Sequence, residues 1–278
     1  MRFSLRLRDR IFPLTPPRLM GVINVTPDSF SDGGEAYQPE AALRRAEALV
    51  AEGVDILDIG AVSTRPGAPE VPLEEERRRL LPALRLIRKN FPQVPISVDT
   101  FRADIARLAL EEGADLINDI SGGAFDPKLW EVVAHYRVPY VLMHIKGTPQ
   151  TMQQNPSYAN VVRAVWMYFV QKIQALTQMG IHDIIIDPGF GFGKQLNHNY
   201  ALFRALPLFR RLGYPILIGI SRKSMLWRPL GATPRTVLPA MSALHWEALR
   251  KGVHLLRVHD VAAARQICQL LGVWRSSV

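Results

Sequence analysis

A single cysteine, Cys268, stands in the 278 residues, so no disulfide can close within the chain and no thiolate cage can hold a metal. Its setting in the apolar pattern ARQICQLLGV points to core packing. The chain also lacks any unbroken apolar run of the roughly 20 residues needed to span a bilayer. Its first residues, MRFSLRLRDR, carry charges where a secretory leader would place its apolar stretch, so a soluble cytoplasmic protein is expected. No Pro/Ser-rich linker separates one part of the sequence from another. With 48% apolar residues the chain can bury one large core, and a single domain over residues 1–278 is expected.

Acidic residues are the scarcer charge, 25 against 34 basic, which leaves a net charge of +9. Such a balance raises the question of nucleic acid, and the distribution answers it. The densest basic cluster, Arg77 to Arg79, directly follows Glu74 to Glu76 in LEEERRRLLPALRLIRKN, which reads as the wet face of an amphipathic helix. The remaining excess is dispersed, so no nucleic-acid partner is expected, and the bias favours a small anionic substrate. The histidines are scattered, and none has the metal-ligand spacing that would support a zinc site.

What is abundant is alternation. Short, largely apolar runs recur at Leu19 to Val25, Val54 to Ile59, Pro95 to Val98, Asp115 to Ile117, Pro139 to Met143, Asp183 to Ile186, Pro215 to Ile218 and Leu255 to Val258, which gives eight strand candidates. Between them, stretches such as Pro39 to Glu52, Leu73 to Asn90, Arg102 to Glu112, Tyr158 to Met179, Tyr200 to Leu212 and Pro234 to Lys251 carry helical periodicity. Strand followed by helix, repeated, builds a parallel sheet, and the count of eight favours a closed (β/α)₈ barrel over an open doubly wound sheet. Nearly every strand candidate ends on a polar residue: Asn24, Asp58, Asp99, Asn118 with Asp119, His144, Asp187, Ser221 with Lys223, and Arg257 with His259. One such residue is commonly a turn former or cap. A barrel brings all of these ends to one face, where active sites are assembled from several strands at once.

The segments around those tips have their own chemistry. GVINVTPDSFSDGG places Asn24 at a strand end, a neutral oxygen suited to a hard cation such as Mg²⁺, ahead of a polar loop with Asp28 and Asp32. Asn24-Val25-Thr26 also spells a glycosylation sequon, set aside because no secretion signal is seen. GAVSTRPGAPE puts Ser63, Thr64 and Arg65 before a Pro-Gly turn, where Arg65 is placed to clamp an anion or close onto Asp32. Asp99 in SVDTFR and Asn118 in INDISGG offer a carboxylate beside an amide, a pairing that matches the donor and acceptor edge of a heteroaromatic ring, while Thr100 is a candidate helix cap. IIIDPGFGFGK is no Walker A loop, since its spacing differs and Gln195 stands where Ser or Thr is required. Its glycines imply a backbone that approaches a ligand or flexes, with Phe190 and Phe192 as aromatic surface and Asp187 as another ring-edge candidate. GISRKSM gathers Lys223 and Ser224 at a helix start that favours an anion. LRVHDV sets Arg257 and His259 two apart, hence on one face of a strand, as a diphosphate site.

Taken in order, NVTPDSFSDGG, STRPGA, SVDT, NDISGG, DPGFGFGK, SRKS and RVHDV resemble the dihydropteroate synthase family of pterin-binding TIM-barrel enzymes, over roughly residues 18–272. The resemblance implies a transferase that joins a pterin pyrophosphate to p-aminobenzoate with Mg²⁺ as cofactor. It implies a pterin pocket of Asp99, Asn118, Asp187 and Lys223, and a p-aminobenzoate site of Thr64, Arg65, Pro66, Phe192 and Ser224. Asn24, Arg257 and His259 match the pyrophosphate site, Asn24 the metal ligand, and Asp32 the mobile first loop. Asp99, Lys223, Arg257 and His259 are the implied catalytic group, with Mg²⁺ and a cationic Arg257–His259 pair stabilising the leaving pyrophosphate. A homodimer through the penultimate helix is also implied. Three departures stand out: Ala61-Val62 where the family usually has Gly-Glu, Val253 at a customarily small position, and the bulky HWEAL at residues 245–249. A corrinoid-dependent pterin methyltransferase module and a non-catalytic binding protein are the competing readings.

Overall fold

The computed structural model describes residues 3–8, 10–26 and 38–276. Eight parallel strands form the sheet: β3 (Arg18–Asn24), β4 (Ile56–Gly60), β5 (Ile96–Asp99), β6 (Leu116–Asp119), β7 (Tyr140–Met143), β8 (Ile184–Asp187), β9 (Leu217–Ile218) and β10 (Leu255–Val258). They pair in the order β8-β7-β6-β5-β4-β3-β10-β9, and a parallel bridge between Ile186 and Ile216 draws the two ends together into the expected barrel.

Side chains alternate along each strand with period two, and the two apolar clusters separate accordingly. Leu19, Ile23, Leu57, Ile59, Ile96, Val98, Ile117, Leu142, Ile184, Ile186, Ile218, Leu256 and Val258 face outward into the helix layer. Met20, Ile56, Leu116, Val141, Ile185, Leu217 and Leu255 form a second cluster inside the barrel. Two residues further along the same inward face come Val22, Asp58, Asn118, Met143, Asp187, Gly219 and Arg257. Apart from Ser97 of β5, the interior therefore changes from apolar to largely polar within one step of the alternation.

An antiparallel hairpin, β1 (Ser4–Leu7) with β2 (Arg10–Pro13), was absent from the strand candidates and closes the apolar end. Leu5 and Leu7, each 1% exposed, complete the inner cluster, and Leu14 joins them. Burying each is worth roughly 1.5–3 kcal/mol. Ser4 and Arg6 between them face solvent, and those polar neighbours concealed the strand in the sequence.

The surrounding helices are α1 (Gln38–Ala51), α2 (Leu73–Asn90), α3 (Ala103–Glu111), α4 (Leu129–Tyr136), α5 (Val161–Gln178), α6 (Leu196–Arg204), α7 (Leu206–Phe209), α8 (Ser224–Trp227), α9 (Leu238–Arg250) and α10 (Val261–Ser276). The stretch read as one helix over Tyr200 to Leu212 breaks at Ala205, because Pro207 has no N–H to continue the ladder and instead opens α7. Thr100 is only half the expected cap. Its hydroxyl accepts from Arg102 N at 3.2 Å, while Asp126 reaches across to accept from Ala103 N at 2.7 Å. Arg77 and Arg78 lie exposed on α2 with Glu74 and Glu75 as ion-pair partners, as the wet-face reading expects, but Arg79 is half-buried and Glu76, read with that face, is buried against Thr100 and Arg102. Among the described residues no helix is long and apolar enough to cross a membrane.

Candidate active site at the polar barrel mouth

Strand register gathers the tips. Asn24 is the Cα partner of Gly60, Gly60 of Asp99, and Asp99 of Asn118, so four neighbouring strands present their ends at one level. Asp58 lies one inward step below, fully buried. Arg257 comes from the far side of β3 and crosses the mouth: its Nε donates to Asp58 Oδ2 at 2.6 Å and its Nη2 to Asp99 Oδ2 at 2.8 Å. Asn118 Nδ2 approaches both Asp58 oxygens at 3.3 and 3.4 Å.

Crowding these charges in so little water has a cost. Burial pushes Asp99 up to about 7; Arg257 opposes this, and Asp58 and Asp119 add to it. Arg257 is raised as well: burial alone would lower it, but Asp58 and Asp99 outweigh that cost. Buried Asp187 is also raised, chiefly by desolvation against the pull of Lys223, and it accepts from Gly189 N at 2.8 Å. Burial lowers Lys223 to about 8, with Asp187 holding it up. Lys223 Nζ donates to Phe190 O at 2.6 Å and sits 4.5 Å from the centre of the Phe192 ring. Gly219 keeps the space between the cations open. A methyl there would stand 3.7 Å from Arg257 Cβ and 3.9 Å from Lys223 Nζ.

The expected residues are thus partly united. Asp99, Asn118, Asp187, Lys223, Arg257 and Phe192 share one polar mouth. Ser224 follows Lys223 at the start of the short α8, half-buried. Thr64, Arg65 and Pro66 lie on the loop after β4, with Arg65 and Pro66 exposed. That loop is tied to the loop after β7, through Gly67 N to Pro149 O at 3.1 Å and Gln150 Nε2 to Ala68 O at 3.3 Å. Among the described residues no hydrogen bond joins Thr64, Arg65 or Pro66 to the polar cluster. Asp32 and Asp28 lie outside the described residues.

Three readings change. Arg257 and His259 do share a side of β10, but their partners diverge: His259 Nδ1 meets Ser221 Oγ at 3.0 Å. Burial, then Arg257 and Arg222, lower His259 to about 4, so the imidazole is neutral near pH 7 and the pair carries one positive charge rather than two. Phe190 turns into the core with no exposure, leaving Phe192 as the available ring. Two of the three glycines in the run after β8 make close protein contacts, while Gly191 faces the Lys223 side chain. Gly189 at φ +70° and Gly193 at φ +63° press against the carbonyls of His144 and Lys146, where a Cβ would collide.

Asp58, in the sequence a polar strand end with no assigned role, is fully buried in the cluster. Its position two residues after the apolar Ile56 was the available signal. Lys194 was read only as the end of a discounted phosphate-loop pattern, and nothing in its spacing showed that it would be buried.

The family model described as pterin binding enzyme matches residues 20–259. The chain belongs to the dihydropteroate synthase family of pterin-binding enzymes. It is 42% identical over 261 residues to the dihydropteroate synthase of Synechocystis, covering 92% of this chain and 90% of that one. The Xanthomonas albilineans dihydropteroate synthase with 4-aminobenzoic acid superposes with a TM-score of 0.92 at 41% identity, covering 99% of both chains. The same organism's enzyme in complex with 7,8-dihydropteroate gives 0.88 at 39% identity, covering 98% of this chain and 99% of that one. Within this dihydropteroate synthase frame, Ala61 and Val253 are accommodated in the core at 0% and 2% exposure.

Proposed function

We propose that the chain condenses 6-hydroxymethyl-7,8-dihydropterin pyrophosphate with p-aminobenzoate to give 7,8-dihydropteroate and pyrophosphate. The observation that carries this reading is the cluster of Asp58, Asp99, Asn118, Asp187, Lys223 and Arg257 at one barrel mouth, in a chain about 40% identical to enzymes of that name over most of its length.

Asp99, Asn118 and Asp187 offer acceptors and an amide to the edge of the pterin ring, whose neighbouring ring N–H and amino groups need two adjacent acceptors. Lys223 stands over Phe192, so its stem lies along one flat ring while its ammonium reaches polar atoms of the other. Thr64, Arg65, Pro66 and Ser224 complete the p-aminobenzoate side, and Asp32 belongs to the loop assigned to closure. In the reaction the bond from the pterin methylene carbon to the pyrophosphate oxygen breaks, with the electron pair leaving on pyrophosphate. The arylamine nitrogen bonds to that carbon and gives up a proton. The amine is already a nucleophile, so the protein's work is alignment and charge balance; holding two rings in register supplies an effective concentration of order 10⁵ M or more.

Asn24, Arg257 and neutral His259 form the pyrophosphate end, with His259 serving as a hydrogen-bond partner rather than a second cation. Since Arg257 is shared with Asp58 and Asp99, further positive charge is needed there. Among the described residues no group of three or more His, Cys, Asp or Glu side chains can hold a metal. This donor set fits Mg²⁺, an ion that keeps most of its shell as water and phosphate oxygens and takes Asn24 as its neutral protein ligand. When bound, Mg²⁺ would neutralise charge on the departing pyrophosphate.

The reading includes a homodimer, supported by Leu270, Val273 and Trp274 exposed at 58–62% on α10, beside Trp246 of α9 with ring centres 6.3 Å from those of Trp274. It also includes a cytoplasmic location, where the lone buried Cys268 stays reduced. Pyrophosphate release should require p-aminobenzoate and Mg²⁺ together. Release that ignores either component, or none at all, defeats the reading.

A further inference from the structure

We propose that Lys194 is a positioning residue for this reaction: its buried amine fixes the loop after β8 in the shape that lets Phe190 O and the Phe192 ring meet Lys223. The proposal rests on the transferase reading of the mouth and extends it to a residue outside the substrate-contact set.

Lys194 is 3% exposed, and its Nζ lies among four acceptors: Gly189 O at 2.8 Å, Phe192 O at 2.9 Å, His144 Nδ1 at 3.0 Å and His144 O at 3.1 Å. Burial lowers the Lys194 pKa against the pull of Asp187, and with three N–H groups or two the amine has no more donors than these four acceptors take, so none is left for a ligand. That separates positioning from catalysis. Burial and neighbouring Lys194 hold His144 down at about 2, which keeps the imidazole neutral with a ring nitrogen able to accept.

The placement of the acceptors carries the argument. Gly189 O and Phe192 O flank Phe190, whose own carbonyl takes Lys223 Nζ at 2.6 Å, and Phe192 carries the ring under that ammonium. His144 O belongs to the adjacent strand end, so a single amine joins both ends of the arc to the barrel. The glycines at 189 and 193 bring the arc against backbone, where no side chain can wedge it. Its other tethers are Gln153 Nε2 to Gly191 O at 2.7 Å, Tyr158 OH to Gly193 O at 2.8 Å, and Gly191 N to the Oδ1 of buried Asn199 at 2.8 Å. Leaving three carbonyls without their buried donor costs about 1–3 kcal/mol for each one that stays dry, so the arc would rearrange toward water.

The groups facing Lys223 are Asp187 from β8, Asp99 from β5, Arg257 from β10, the Phe190 carbonyl and, from the arc itself, Lys194. If the arc loosens, Lys223 is better hydrated and loses its fixed acceptor.

Lys194→Met and Lys194→Gln, compared with wild type per folded molecule, should raise KM for p-aminobenzoate about 10-fold and lower kcat about 10-fold, with the glutamine variant less affected because it keeps an N–H donor. The high-pH limb of kcat/KM should move upward by roughly half a pH unit or more as Lys223 regains water. A role confined to folding would lower Tm and leave both KM and that limb where they are. Hydrogen exchange on the unmodified enzyme decides the matter even if neither variant folds: the amides of residues 189–193 should be protected before any ligand is added. Fast exchange there until p-aminobenzoate binds overturns the proposal, as do wild-type KM and pH limb in either variant. An inactive wild-type enzyme would sink the transferase reading instead, so the two failures are told apart.

Discussion

Replacing Asp99 by asparagine should stabilise the fold while removing activity, and the gain should grow with pH. Asp99 is raised from 3.8 to about 7, first by burial and then by Asp58 and Asp119, against the pull of Arg257. The unfolded chain gives up this proton near its ordinary value, whereas the folded protein holds it until about pH 7. Between those points the folded state binds more protons, so stability falls as pH rises, and above about 7 the loss is constant. At about 1.4 kcal/mol for each pH unit of separation, the ionised carboxylate withholds at most about 4 kcal/mol. Asparagine keeps the shape and an oxygen for Arg257, while Asp58 remains as the charged partner at 2.6 Å. Allowing for imperfect mimicry, a net gain of about 1–2 kcal/mol is expected at pH 8, or roughly 2–6 °C in Tm. Calorimetry of both proteins at pH 5 and pH 8 tests this: the Tm difference should widen between the two. A variant that melts below wild type at pH 8, or by a margin independent of pH, refutes the reasoning.

Asp99 and Lys223 together should shape the kinetics, with kcat/KM rising as Asp99 ionises near 7 and falling as Lys223 loses its proton near 8; a profile flat from pH 6 to 9 would contradict it. Ser97 Oγ is buried without a hydrogen-bond partner among the described residues, so Ser97→Ala should leave stability unchanged or raise it by up to about 1 kcal/mol in urea titration, and a clear loss contradicts this. Arg257→Ala strands the fully buried Asp58 and should cost about 3–5 kcal/mol by denaturant midpoint, in contrast to a much smaller loss for the exposed Arg77→Ala. Trp274→Glu should lower the mass seen by light scattering if a second copy covers the exposed face of α10; an unchanged mass removes that face from the dimer.

The barrel was legible because its signal is repetitive. Eight apolar runs ending in polar residues repeat one local rule, and a misplaced boundary such as Val54 for Ile56 does not disturb the count. The hairpin was missed because Arg6 and Ser4 hide a two-residue alternation that matters only once the barrel end exists to receive Leu5 and Leu7. At the site, residue identity at strand tips named Asp99, Asn118, Asp187, Lys223 and Arg257. Which groups pair was not legible, since Arg257 reaches Asp58 across 199 positions of sequence and Asp99 across 158. The neutral state of His259 was equally hidden, because it depends on burial and on Arg257 and Arg222 together. Lys194 shows the same limit: a lysine after a glycine run reads as a phosphate ligand until the fold surrounds it with carbonyls.

The most direct test of the central claim, that these strand tips hold the two substrates together, is product stoichiometry in wild type and in Asp187→Asn. The wild-type enzyme should yield one dihydropteroate for each pyrophosphate released, and the variant, with its ring-edge acceptor neutralised, should lose about 100-fold or more in kcat/KM while staying folded. Pyrophosphate released without an equal amount of joined product, or a variant as active as wild type, would contradict it.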